Sequence, residues 1–237
     1  ECQKVADCLH KYGMLLIRDP RVDMKDNDEY LDMMEAYFEE TGERFYRGEE
    51  IPDIKKECDY QVGCLPEKIE IARDYKELIQ SLDLPPEDQP LSPLTPILDA
   101  HWRFSWQIGE RLESDPFLHP QVIPAGFPNW EKNMDTWGNK LNQSSITVAE
   151  MAAIGMGIPK DTISSRMKSG LHLLGPTGLD LEKYDVGAVV AGIHVDICLL
   201  TVHGKPRYPG LLIWSRDWKK QPVKIPDGCL DSTYSLF

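Results

Sequence analysis

AGIHVDICLLTVHGKPRYPGLLIW, Ala191 to Trp214, decides how this chain is read. It places His194 and Asp196 two residues apart inside an apolar, β-branched run. Side chains on an extended strand alternate faces, so His194, Asp196, Cys198 and Leu200 are predicted to share one face, with Ile193, Val195, Ile197 and Leu199 on the other. An imidazole nitrogen beside a carboxylate oxygen makes two of the three ligands of the 2-His-1-carboxylate facial triad, which holds non-haem Fe(II) with positions open for oxygen. The third ligand, a histidine from a distant strand, does not show: no histidine follows His203. His203 is separated from His194 by an odd number of residues, and an unbroken strand turns it away from the pair. By itself His-x-Asp is also an ordinary structural arrangement, a histidine hydrogen-bonded to a neighbouring carboxylate.

Around this segment lie 237 residues, 41% of them hydrophobic, enough to build a sizeable core. The 39 acidic against 26 basic residues give a formal charge of −13, which repels phosphate backbones and anionic lipid surfaces and argues against nucleic acid or membrane as partners. No apolar run is long enough to span a bilayer, and no basic start leads into an apolar stretch, so neither a spanning helix nor a secretory signal is expected. The six cysteines, Cys2, Cys8, Cys58, Cys64, Cys198 and Cys229, include no pair at zinc-knuckle or redox spacing. Free thiols in an intracellular, cytoplasmic setting are the expectation, with Cys198 and Cys229 acting as small hydrophobes in strand-like surroundings.

Along the chain the first half reads as helices and the last part as strands. A helix through Tyr12, stopped by Gly13, precedes a strand over Met14 to Ile17. Asp26 or Asn27 can cap a helix to about Glu40 with Tyr30, Met33, Met34, Tyr37 and Phe38 on its core face. A further helix is predicted from Pro66 to Leu82, and LPPEDQPLSPLTP marks a surface linker. The aromatic stretch LDAHWRFSWQIGERLE reads as an amphipathic helix containing His101, followed by a long helix over Trp130 to Gly155 and a shorter one from about Asp161 to Gly170. Beyond Gly170 short apolar runs dominate: Leu171 to Leu174, Gly187 to Ile193, Ile197 to Val202, Leu211 to Trp214 and Val223 to Ile225. Their spacing predicts antiparallel strands of a sandwich or barrel.

HVDICLLTVHGKPRYPGLLIW, followed by WKKQPVKIPDGCL, resembles the central part of the Fe(II)- and 2-oxoglutarate-dependent oxygenase superfamily, in the branch that includes isopenicillin N synthase. In that family a His-x-Asp strand leads to a Leu-Thr run, a Gly-Leu-x-Val/Ile strand, a charged turn and a Pro-x-Gly step. Here these are His194 and Asp196, Leu200 and Thr201, Gly210, Leu211 and Ile213, Arg216 to Lys220, and Pro226 with Gly228. The opening DCLHKYGMLLIRDP is similar to the family's first helix, glycine and strand. The resemblance implies an α+β fold, a distorted double-stranded β-helix (a jelly-roll relative) with N-terminal helices packed on one side. It also implies Fe(II) held by His194 and Asp196, 2-oxoglutarate as possible cosubstrate, and a small organic substrate.

Two family elements are missing from the 237 residues: the distal histidine, and the Arg-x-Ser that clamps the far carboxylate of 2-oxoglutarate. After Leu230 comes the polar DSTYSLF, whose STYSLF reads as a strand from further along such a fold. Either a segment is omitted after Leu230, or part of the barrel has been lost and the chain is a catalytically inactive structural subunit completed by protein partners. Three regions are expected within one integrated domain: 1–90, helix and strand; 91–170, helices packing on the core; 171–237, the β-helix region. His101 is read as a hydrogen-bonded packing residue, His172 as a residue that could face the same interior, and Tyr184 and Arg207 as substrate-side groups by location alone.

Overall fold

The computed structural model describes residues 1–90, 97–110, 112–115, 118–168 and 170–234. Residues 91–96 of the expected linker and 235–237 of STYSLF lie outside these.

The element that organises the core is Trp102–Ile108, an antiparallel strand where the sequence reading expects a helix. Trp102, Phe104, Trp106 and Ile108 recur at period two, the strand spacing, and aromatic density masks that signal. All four are buried, with Phe104 and Trp106 wholly so. Gln107 and Ser105, on the other face, are buried as well, which identifies a strand covered on both sides.

In chain order the elements are α1 (Cys2–Tyr12), β1 (Met14–Ile17), α2 (Met24–Tyr46), β2 (Gly63–Leu65), α3 (Lys76–Ser81), β3 (Trp102–Ile108), α4 (Trp130–Gly155), α5 (Asp161–Met167), β4 (His172–Leu174), β5 (Thr177–Gly178), β6 (Leu200–His203), β7 (Leu212–Trp214), β8 (Lys220–Pro222) and β9 (Leu230–Tyr234). α1 stops where expected: Gly13 takes a left-handed φ of 75° and its N–H closes on the Leu9 carbonyl at 3.0 Å. α2 begins earlier than its sequence signals, because Asp23, not Asp26 or Asn27, accepts from the Lys25 N–H. Tyr30, Met34 and Tyr37 face the core as expected, with Met33 and Phe38 packed beside them.

α4 is the long central helix. Trp130, Met134, Trp137, Leu141 and Val148 form its buried stripe at helical spacing. Tyr37 and Trp130 lie 4.8 Å apart between ring centroids, and Phe104 and Trp130 4.7 Å, so α2, β3 and α4 meet in one aromatic cluster. Glycine allows α4 to lie against α1: a Cβ at Gly155 would stand 2.3 Å from the Cys2 carbonyl oxygen.

The predicted Pro66 to Leu82 helix shrinks to α3. Ahead of it the backbone instead pairs with the chain before β3: the Lys68 N–H donates to the Asp99 carbonyl at 2.8 Å, and the Asp99 N–H to the Glu70 carbonyl at 2.9 Å. Tertiary pairing overrides helix propensity here.

Among the described residues all strand pairings are antiparallel. β3 lies between β2 on one side and β4 and β5 on the other; β1, β9 and β6 form a second sheet in that order; β7 and β8 form a hairpin. β9, from DSTYSLF, is the central strand of its sheet. Thus the described part of the run after Leu230, through Tyr234, is a strand that ties the N-terminal β1 to β6, and the rest of STYSLF lies outside the described residues. The α+β class with antiparallel sheets and leading helices is therefore present. Gly187 to Ile193 and Ile197 to Leu199 are not strands; regular structure starts only at Leu200. The expected Val223 to Ile225 strand is displaced to β8, Lys220–Pro222, with Val223 and Ile225 buried just beyond it. The first part of the expected linker is bound to this hairpin: Trp214 Nε1 donates to the Asp88 carbonyl at 2.7 Å, and the Lys220 N–H to its carboxylate at 2.9 Å.

Candidate metal centre

His194 and Asp196 do meet, although no strand carries them. His194 Nε2 is 3.3 Å from Asp196 Oδ1. The parity argument does not apply to an irregular segment; local bonds set the pair instead. His194 Nδ1–H donates to the Gly192 carbonyl at 2.8 Å, which turns Nε2 toward Asp196. Thr201, the second residue of β6, donates its hydroxyl to Asp196 Oδ2, leaving Oδ1 toward the imidazole. The Cys198 thiol lies 3.0 Å from the same hydroxyl.

Electrostatics follow from this geometry. The Asp196 hydrogen bond raises the His194 pKa to about 9, against the penalty of burial. Asp196 is held below the usual carboxylate range, first by His194 and then, against burial, by Thr201. The side chains are 53% and 31% exposed, so the pair opens to solvent rather than being sealed in hydrocarbon.

The donor set fits a cation in part. Two ligand bonds of about 2.1 Å at right angles place their donor atoms about 3 Å apart, close to the separation found here. With Nδ1 committed to a carbonyl, Nε2 is the ligating nitrogen, and Asp196 supplies a hard oxygen. Among the described residues no third His, Cys, Asp or Glu donor comes within 4.8 Å of both. His203, on β6, is engaged elsewhere: its Nδ1 is 2.6 Å from Oδ1 of the fully buried Asp231 on β9. Burial lowers the His203 pKa, yet the hydrogen bond and charge of Asp231 raise it overall.

The one three-residue group with metal-ligand spacing among the described residues is Glu70, Asp99 and His101, which the His-x-Asp reading missed. Its Asp99-x-His101 spacing is visible in the sequence, but Glu70 comes from a separate stretch, joined to it by backbone pairing and by the His101 contact, which no local pattern names. His101 is hydrogen-bonded at both nitrogens, as a packing histidine would be: Nδ1 to the Val190 carbonyl at 3.0 Å and Nε2 to Glu70 at 3.1 Å.

The other sequence candidates have structural partners. His172 sits on β4 and donates from Nε2 to the Met167 carbonyl at the end of α5, 2.8 Å away. The Tyr184 hydroxyl donates to Glu67 at 2.6 Å. Arg207 pairs with Asp32 and, at 2.8 Å, with Glu35 on α2. All six cysteines are free. Cys198 is exposed, contrary to the small-hydrophobe reading; Cys64 is the buried one, where burial pushes the thiol up to about 12.

With this geometry the chain superposes on known structures over nearly its whole length. A Caulobacter crescentus protein assigned to the 2OG-Fe(II) oxygenase family matches 99% of this chain and 68% of its own, with a TM-score of 0.69 and 19% identity. The chain has the 2OG-Fe(II) oxygenase fold. A full-length Neurospora crassa protein, solved with alpha-KG, matches 99% of this chain and 67% of its own at a TM-score of 0.67 and 15% identity. JOX2, solved with 2OG, Fe and JA, matches 98% of this chain and 60% of its own at 0.64 and 11%. The chain thus spans about two thirds of the length of these proteins. No family model and no curated relative matches it by sequence.

Proposed function

We propose that this chain is the core of a non-haem Fe(II) oxygenase in which His194 Nε2 and Asp196 Oδ1 are two of the protein's iron ligands. The observation that carries the reading is their 3.3 Å approach, with the second nitrogen and the second oxygen each already bound by the protein. In this reading the sheets are part of a distorted double-stranded β-helix. The cosubstrate is 2-oxoglutarate, as in the Neurospora crassa and JOX2 structures, and the substrate a small organic molecule; the Neurospora crassa protein was also solved with thymine, and JOX2 with JA.

Bound between these groups, ferrous iron would supply the activation of dioxygen that no side chain provides. The chain's own residues have defined tasks. Gly192 fixes the tautomer of His194 through its carbonyl. Thr201 holds the Asp196 carboxylate in one orientation. The hydrogen bonds of His194 and Thr201 to Asp196 outweigh the burial that would favour its neutral form, so it offers a negative charge.

The absence of a third donor near the pair among the described residues favours a second reading, an inactive oxygenase fold retained as a structural subunit. Anaerobic Fe(II) titration of the full-length protein and of its His194→Ala variant separates the two. The oxygenase reading expects one tight site whose affinity falls by more than about 100-fold in the variant, beyond the loss typical of an outer-shell change. Equal binding by the two proteins, or none by either, makes His194 structural and leaves the subunit reading.

A further inference from the structure

We infer that Asp99 and His101 are positioning residues for His194, gripping the backbone two and four residues ahead of it; the inference rests on the iron reading above. Residues 189–199 form no strand, so no ladder of their own fixes the segment that carries His194 and Asp196. Two directed bonds from the residues just ahead of β3 act on it instead. His101 Nδ1–H donates to the Val190 carbonyl at 3.0 Å, and the Gly192 N–H donates to Asp99 Oδ1 at 3.3 Å. Gly192 is also the residue whose carbonyl accepts from His194 Nδ1. One peptide group on each side of Gly192 therefore links Asp99 to the imidazole.

The grip has a rigid base. Asp99 and His101 are only 9% and 5% exposed, and Asp99 is pinned through its own N–H and carbonyl to Glu70 and Lys68. Glu70 in turn receives Arg103, Nη2 to Oε1 at 2.8 Å and Nη1 to Oε2 at 3.1 Å. The hydrogen bond of His101, then the charge of Arg103, hold Glu70 ionised against its burial. β3, which follows directly, is buried on both faces, so a displacement at Val190 or Gly192 must work against the aromatic core. The same contacts explain why Glu70, Asp99 and His101 serve as a clamp and not as a second cation site. Glu70 is neutralised by a guanidinium, and Asp99 Oδ1 is taken by a backbone N–H.

Four variants test this: His101→Phe and Asp99→Ala remove the two bonds, while His101→Asn keeps a donor near Nδ1 and Asp99→Asn keeps an acceptor near Oδ1. In the metal-free full-length protein, amide exchange at Gly192 should rise by about tenfold or more in Asp99→Ala and stay near wild type in Asp99→Asn, with exchange in β3 unchanged. Under anaerobic titration, His101→Phe and Asp99→Ala should bind Fe(II) about 10–100-fold more weakly than wild type, with a shifted absorption spectrum of the Co(II) form; the two conservative variants should recover both. Should His101→Phe fail to fold, the Asp99 pair carries the same test. Wild-type Gly192 exchange, Fe(II) affinity and Co(II) spectrum in folded Asp99→Ala would overturn the clamp while leaving the iron reading intact. A second bound metal ion, lost in His101→Phe, would overturn it by making the cluster a ligand site. If His194→Ala binds iron as wild type does, the iron reading fails first and the clamp has nothing to position.

Discussion

Strand β3 and the segment from Gly187 to Trp214 both look apolar on paper, yet the chain treats them oppositely. In β3, Phe104 and Trp106 are completely buried between α2, α4 and the neighbouring strands. In the later segment Val195 is 44% exposed and Ile197 81%. β6 and β7 are only half-buried throughout. The difference shows where rigidity and chemistry are separated: the aromatic strand supplies a stiff frame, and the candidate metal ligands ride on a loosely packed segment held by a few directed hydrogen bonds. Binding segments are commonly drawn from the less protected part of a structure, since they must admit ligand and solvent.

The contrast can be broken most forcefully from the frame. Phe104→Ala removes a wholly buried ring that packs edge-on against Tyr37 and Trp130, and should destabilise the fold by about 3–5 kcal/mol. The same truncation at half-buried Ile213 on β7 should cost under about 1 kcal/mol. Urea unfolding of the two variants measures the gap, and equal losses would show that the two regions do not differ in packing.

Asp19 tests how the frame is fastened at its edge. Buried at 8% exposure, it accepts from Arg21 Nε at 2.8 Å, from the Arg21 N–H at 3.0 Å and from Ser144 on α4 at 2.6 Å. Arg21, together with Ser144, holds its carboxyl far below the ordinary range against the cost of burial. Because the folded pKa is depressed, the stability it contributes is complete above the unfolded value of about 3.9 and disappears as pH falls toward the folded one. Asp19→Asn should therefore cost about 2 kcal/mol at pH 7, and the difference from wild type should narrow on acidification to about pH 3. A difference that does not change with pH would refute the ionic account.

A smaller effect is expected at Gly155. The added methyl of Gly155→Ala meets the Cys2 carbonyl oxygen at 2.3 Å and Ala6 Cβ at 2.8 Å, so α1 must shift. Alanine gains about 1 kcal/mol of helix propensity, and the overpacking should outweigh it by about 1 kcal/mol. Thermal or urea midpoints above wild type would show that α1 is free to move away from α4.

Much of the helical half is legible in the sequence. The Gly13 stop, the core face of α2 and the limits of α4 follow from capping, spacing and apolar period, which are properties of neighbouring residues. β3 is misread because aromatic residues at period two can also be placed on a helix. Pro66 to Leu82 is misread because its backbone finds partners some thirty residues away. At the candidate site, residue types are legible and conformation is not. His194 and Asp196 stand out by identity and spacing, but a strand is expected where bonds to Gly192 and Thr201 do the orienting.

The sequence alone determined the candidate His-x-Asp pair, the net negative charge and the long α4 helix, because each depends on residue type and short-range spacing. Tertiary structure alone decided that β9 joins β1 to β6, that β3 is buried on both faces, and that Glu70, Asp99 and His101 come together beside the loop carrying His194. Those are contacts between segments far apart in the chain, and their energy comes from shared burial and from hydrogen bonds whose partners no local pattern names.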